Sequence, residues 1–234
     1  MPSILFALAI LSALLEWVAV YKNWRNVEYV AKPGVMVFLF AWFLLTSGLR
    51  GPVIWFGLGI LLSLVGDVFL MLSCRNYFKL RYSNERRWFL FGLGAFLLAH
   101  IAYILGFNTP PPPFTGMTFV VALIVLMSAL PLIRRILLGA AQKGLRRLVE
   151  PVRVYATVIS LMLFSALMTL FRTDWLSMPA YLVSLGAVLF VSSDMLLAWN
   201  KFVHPIRRGR LALMITYHLG QMALIAGAVG QFGK

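Results

Sequence analysis

Only one cysteine, Cys74, occurs in the 234 residues, so an intrachain disulfide and every cysteine-cluster metal site are excluded. Histidine is nearly as scarce: there are three, no HExxH or similar pattern occurs, and the HxxY at His100–Tyr103 is too short to imply a metal. Charged residues make up 12% of the chain, against about 25% in soluble domains, and only seven are acidic. So few charges cannot clothe a water-exposed surface, which excludes a soluble globular domain. What fills the chain instead is hydrocarbon. Hydrophobic residues make up 62% of it and the mean hydropathy is +0.90.

A helix needs roughly 20 apolar residues to cross the bilayer core, and runs near that length recur. They predict eight spans, at about 3–21, 33–49, 53–73, 88–107, 117–138, 151–171, 179–199 and 210–231. The expected fold is all-α, a polytopic transmembrane bundle of eight helices forming a single domain over residues 1–234. The opening MPSILFALAILSALLEWVAVY has no basic n-region and no small-residue cleavage site, so it reads as helix 1 and not as a signal peptide. The connecting loops are too short for a further domain, and the uncharged NTPPPPFTG at 108–116 reads as a stiff polyproline II link without chemistry.

A formal net charge of +14 raises nucleic acid as a partner, but the distribution answers that question. Of the 21 Lys and Arg residues, 18 lie in or beside loops 1, 3, 5 and 7, leaving Arg50, Arg172 and Lys234 for the other side. Under the positive-inside rule this asymmetry is topology: both termini outside and the odd-numbered loops in the cytoplasm, with an attraction for anionic lipid headgroups in addition. No nucleic-acid partner is implied.

Two acids interrupt the hydrocarbon. GILLSLVGD ends in Asp67 and GAVLFVSSD in Asp194, each with seven residues between glycine and acid, four spans apart. That register is consistent with a parallel 4+4 repeat. Small residues before each acid (Gly59, Ser63 and Gly66; Gly186 and Ser193) permit close helix contact, and contact between helices 3 and 7 would bring the acids together. At a rise of about 1.5 Å per residue, Asp67 lies roughly 9 Å from the inner end of its span. Asp194 and Glu16 lie at similar depth, Lys32 opens helix 2 from the same side, and Tyr217 and His218 enter from there on helix 8. Gln221 is one turn deeper, and His100 and Tyr103 fall near mid-membrane. Independent spans thus send most of their ionisable groups into one layer. An intramembrane Asp costs about 2.5–3.5 kcal/mol on insertion scales, so two without purpose would be a burden. For the others plainer readings exist: Glu16 reaching the interface or pairing with Lys32, His100 as a packing residue, and Trp17, Trp24, Trp55, Trp88, Trp175 and Trp199 as the interfacial aromatic belt.

In these features the sequence resembles the YhhN-type lysoplasmalogenase family of eight-helix membrane proteins. The resemblance runs over nearly the whole chain, carried by Lys32-Pro33, Gly66-Asp67, GLGAFLLAHIAY with His100 and Tyr103, GAVLFVSSD with Ser193-Asp194, and TYHLGQ with Tyr217 and Gln221. It implies an integral protein of a bacterial plasma membrane that hydrolyses the vinyl ether bond of a lysophospholipid, with Asp67 and Asp194 in the active site and no cofactor. Paired carboxylates suit that chemistry. Two acids close together in a low dielectric share a proton, so one can protonate the vinyl ether carbon while the other stabilises the oxocarbenium ion and orients water. The phosphate would meet the cationic inner rim, with Lys32 the nearest candidate. Intramembrane acids and a weak repeat also mark proton-coupled transporters, and that alternative stays open. In that reading broken helices are expected, and Pro131 is the only proline well within a predicted span.

Overall fold

The computed structural model describes residues 2–73 and 83–233. Cys74, the loop residues Arg75, Lys79 and Arg81, and Lys234 lie outside the described residues. Eight helices follow one another: α1 (Pro2–Lys22), α2 (Arg25–Ser47), α3 (Val53–Ser73), α4 (Ser83–Phe107), α5 (Gly116–Gln142), α6 (Arg146–Met168), α7 (Ser177–Ala198) and α8 (Gly209–Phe232). A 3-10 turn, Thr169–Phe171, ends α6, and a π-helical turn, Trp199–Val203, ends α7. All eight are long and apolar enough to cross a membrane. In hydrocarbon the backbone has no water to bond to, so a helix, which satisfies its own N–H and C=O groups, is the economical solution for such runs.

Five of the eight predicted spans agree with the helices to within four residues at each end. The exceptions, α2, α4 and α6, begin at Arg25, Ser83 and Arg146, eight, five and five residues before their expected starts, which in α2 and α6 are Pro33 and Pro151. Pro33 and Pro151 therefore sit inside helices, as Pro131 does in α5, so Pro131 is not alone there. A proline removes one i→i−4 bond, and a membrane helix tolerates this where neighbours compensate for the freed carbonyl. The consequence for α2 is a change of depth. Lys32 lies seven residues into the helix, about 10 Å at the usual rise, in the same layer as Asp67.

The helices pair as antiparallel neighbours: α1 with α2, α3 with α4, α5 with α6, and α7 with α8. One end of the bundle, here the basic end, gathers the α1–α2, α5–α6 and α7–α8 connections together with the end of α3 and the start of α4. There Arg210 of α8 pairs with Glu28 of α2, and the Lys143 ammonium donates to the Lys201 carbonyl at 2.9 Å. At the opposite end Arg172 donates to the carbonyls of Phe107 and Pro110, both at 2.8 Å, and to the Asp174 carboxylate, so it ties the proline-rich link to the α6–α7 connection.

The small residues are used, but not between α3 and α7, whose direct contact is marginal at most. A Cβ on Gly59 would lie 2.2 Å from the Tyr103 ring of α4, and one on Gly186 would lie 2.5 Å from the Leu224 nitrogen of α8. Glycine lets each helix press against the next helix in sequence. The acid-bearing helices are joined indirectly, since α8 packs on both α3 and α7.

Candidate active site

Asp67 projects from α3 into the bundle and is 1% exposed. Its two oxygens meet donors from two different helices: the Lys32 ammonium of α2 lies 2.9 Å from Oδ1, and the Tyr217 hydroxyl of α8 donates to Oδ2 at 2.6 Å. Lys32 is 2% exposed, so its cation faces an acid and not the membrane surface. The ammonium also lies 5.9 Å from the Tyr217 ring centroid. One turn beyond Tyr217 on α8, Gln221 accepts a hydrogen bond from Tyr103 of α4 at 2.9 Å, and both side chains are buried.

Asp194, on α7, has different company. The Tyr155 hydroxyl of α6 donates to its Oδ2 in a short hydrogen bond, and His100 Nε2 of α4 lies 3.0 Å from that hydroxyl and 3.7 Å from Oδ2. Because the Tyr155 proton goes to Asp194, the hydroxyl oxygen is left to accept, which assigns the His100 proton to Nε2. Ser193 Oγ is 3.4 Å from Oδ1 but bonds mainly to the Phe190 carbonyl, at 2.8 Å. Helical side chains lean toward their own N-terminus. His100 therefore tilts toward the basic end and Asp194 away from it, which brings a residue expected near mid-membrane down to the acid.

A third group lies alongside. His218 Nε2 is 3.0 Å from Glu16 Oε2, and both side chains are fully buried. The Trp17 indole donates to His218 Nδ1 at 3.1 Å, which leaves the imidazole proton on Nε2, facing the Glu16 carboxylate. Trp17 thus serves this group and not only the interfacial belt, and Trp175, 6% exposed, is a core residue between Phe107 and Phe232.

Both acids line one small chamber of about 20 Å³, together with Lys32, Ser193, Tyr217 and Lys201 and with apolar side chains such as Leu70 and Phe96. That volume holds about one water molecule. Phe190 packs against His100 and Tyr217, with ring centroids 4.8 and 5.4 Å apart, and forms an aromatic wall between the two acid groups. On its other side Asp194 lines an apolar chamber of about 50 Å³, where Tyr155 is the only other polar residue. Among the described residues no cluster of three or more His, Cys, Asp or Glu side chains is placed to hold a metal.

The structure thus gathers Asp67, Lys32, Tyr217, Tyr103 and Gln221 on one side, Asp194, His100 and Ser193 on the other, and Glu16 with His218 beside them. Two residues of the site escaped the sequence reading. Tyr155 lies on the buried stripe Leu148, Val152, Tyr155, Ile159 and Met162 of α6, where it alone carries a hydroxyl, and that periodicity was its available signal. Lys201, 3% exposed, reads in sequence as a loop cation. It is turned inward by the π-helical turn, with its ammonium 5.0 Å from the Phe89 ring centroid.

Comparison with known proteins bears on what this arrangement does. The YhhN family model matches residues 27–228. A protein named lysoplasmalogenase TMEM86B from Sus scrofa is 34% identical over 147 residues, 62% of this chain and 56% of its own length. Its namesake from Mus musculus is 28% identical over 230 residues, 96% of this chain and 84% of its own. A protein named lysoplasmalogenase from Mycobacterium tuberculosis is 29% identical over 143 residues, 59% of this chain and 50% of its own. The chain thus spans about half the length of the Sus scrofa and Mycobacterium tuberculosis relatives and most of the Mus musculus one. No solved structure matches it.

Proposed function

The chain belongs to the YhhN family, and from that premise we propose that it is an intramembrane hydrolase of lysoplasmalogens, releasing a fatty aldehyde and glycerophosphoethanolamine or glycerophosphocholine. The observation that carries this reading is the shared chamber: two acids line it, one paired with an ammonium and the other with a phenol. Asp67 receives an ammonium on one oxygen and a hydroxyl on the other, so every neighbour favours a carboxylate that only accepts. Asp194 takes the Tyr155 phenol on Oδ2 in place of an ammonium, and the proton-donating part falls to it.

Asp194 then gives its proton to the β-carbon of the vinyl ether, and the adjacent carbon becomes an oxocarbenium centre. Asp67 accepts a proton from the water that adds there, forming a hemiacetal. In the collapse, Asp194 takes the hemiacetal hydroxyl proton as the carbon–oxygen bond breaks, and Asp67 returns its proton to the departing glycerol oxygen. Both acids end as they began, and one water is consumed. The remaining residues bind and orient. Tyr217 and Lys32 hold Asp67, Tyr155 and His100 hold Asp194, and Tyr103, Gln221, Ser193 and the Glu16–His218 pair fix the helices that carry them.

The 4+4 repeat belongs to the same reading. It is supported by an exchange of partners: Asp67 takes Lys32 from its own half and Tyr217 from the other, while Asp194 takes Tyr155 from its own half and His100 from the other. The basic end would face the cytoplasm, with both termini outside. A reporter fused after Lys234 should then be active as an exported protein and silent as a cytoplasmic one, and the reverse pattern would move the site to the other leaflet.

The deciding assay is aldehyde release from lysoplasmalogen by the purified protein. Asp67→Asn and Asp194→Asn should each lower turnover at least about 100-fold, the usual range for a lost acid or base, and the double variant should be no worse than the worse single one. Near wild-type turnover in either variant would remove that residue from the chemistry. Proton-driven uptake by a wild type that never releases aldehyde would instead favour a transporter.

A further inference from the structure

We propose that the aliphatic chain of the lipid substrate lies in a groove between α5 and α6 that begins at Asp194 and opens sideways into the surrounding lipid. This rests on the hydrolase reading above and adds to it the site that would measure the substrate's chain. Three spaces adjoin along this path. Asp194, Leu70, Phe96 and Leu197 line both chambers, so the proposed reaction centre sits where the two meet. Ile133 lines the apolar chamber and also a wider groove of about 300 Å³, walled by Ala122 and Ala129 of α5 and by Ser160 and Phe164 of α6. From Ile133 back to Ala122 is eleven residues of α5, about 16 Å along the helix.

Beyond Asp194 and Tyr155 the surface offered along this path is hydrocarbon. The two hydroxyls of the wider groove are already used within α6: Ser160 donates to the Ala156 carbonyl at 2.7 Å and Thr157 to the Arg153 carbonyl at 3.1 Å. The groove is also open on the side that meets lipid. α5 is the least covered of the eight helices, and Leu126 and Leu161 on the groove walls are 52% and 51% exposed. A passage with carboxylates at one end and a lipid-facing apolar mouth at the other fits a single-chain amphiphile. Its head stays beside the acids and Lys201 near the basic end, and its chain runs away from that end along α5. The small side chains of Ala129 and Ala122 leave the space that the chain would occupy.

The test separates the groove from the chemistry. Binding is measured with saturated 1-O-alkyl lysophospholipids, which lack the cleavable double bond, carrying eight- or sixteen-carbon chains. Hydrolysis is measured with vinyl ether analogues of the same lengths. An overfilled apolar site no longer accepts what packed there, so Ala129→Trp should weaken binding of the sixteen-carbon lipid about tenfold or more, with kcat/KM for its analogue falling in parallel. The eight-carbon pair should stay within about twofold. Ala122→Trp, further from Asp194, should spare longer chains than Ala129→Trp does. Leu123→Trp, on an exposed face of the same helix outside the groove, should change neither. Equal loss at both lengths, no loss at either, or a stricter cut-off in Ala122→Trp than in Ala129→Trp would overturn the groove. If the wild type cleaves no vinyl ether but Ala129→Trp still discriminates by chain length in binding, the groove stands and the hydrolase reading falls.

Discussion

Replacing Lys32 with methionine tests how the site is held together, because it removes the cation and leaves the acid. Lys32 and Asp67 lie 2.9 Å apart with 2% of each side chain exposed, so bulk solvent cannot take over the role of the lost ammonium, and the chamber beside the pair holds only about one water molecule. Removing one partner of a buried pair costs about 3–5 kcal/mol. Here Asp67 keeps the hydroxyl of Tyr217 at 2.6 Å, and a hydrogen bond to a charged group is worth about 1.5–3 kcal/mol, which argues for the lower figure, about 3 kcal/mol. For a chain of this size each kcal/mol shifts the midpoint by about 2–4 °C, so Lys32→Met should unfold roughly 6–12 °C below the wild type in one detergent. The double variant Lys32→Met/Asp67→Asn removes the stranded charge and should recover most of the loss. Unfolding followed by tryptophan fluorescence reads all four corners of the cycle. If the single variant falls by less than about 1 kcal/mol, or the double variant is no more stable than Lys32→Met, the pair is not the buried charge couple described above.

Two further outcomes are expected. Tyr155→Phe leaves Asp194 in place but removes the donor to Oδ2, so kcat should fall about 10- to 100-fold with little change in KM; a rise in KM at constant kcat would assign Tyr155 to substrate binding instead. At the opposite end of the bundle, hydrogen bonds from Arg172 hold Asp174 below the ordinary carboxylate range. Its contribution to stability is therefore complete above the unfolded value of about 3.9 and is lost as pH falls through the lower folded value. The carboxylate is 44% exposed, so solvent screening limits the contribution to about 1 kcal/mol or less. The gap in unfolding midpoint between wild type and Asp174→Asn should be full near pH 6 and narrow as pH falls below about 3.9, and a gap that acidification leaves unchanged would contradict the assignment.

How far the sequence discloses this molecule depends on which physical quantity each feature records. Span number and length follow from bilayer thickness and hydrophobicity, and α3 runs from Val53 to Ser73 as expected. Depth was legible for the same reason, since a residue's height is its count from the helix end. Where that count failed, the end was misplaced: Arg25, Glu28, Lys32 and Pro33 together read as a loop, so Lys32 was taken for a residue of the rim. Rotation about the helix axis was far less legible. Hydrophobicity says little about which face of an all-apolar helix meets protein, because both faces are greasy. For that reason α3 and α7 looked like direct neighbours, Trp17 looked like an ordinary belt residue, and Tyr155 went unnoticed.

Rotation also decides what sequence register cannot, namely that the two acids are unequal. Gly59 to Asp67 and Gly186 to Asp194 have the same spacing, and each acid is met by the preceding helix of its own half and by one helix from the other half. The preceding helix brings an ammonium to Asp67 and a neutral phenol to Asp194. A buried cation favours an anionic neighbour, whereas a phenol leaves a carboxyl group free to keep its proton. Two equivalent acids would have to divide one proton between them at each turnover. In the proposed mechanism different partners instead suit each acid to one task, and because every set draws on both halves of the chain, neither half could hold its acid in place alone.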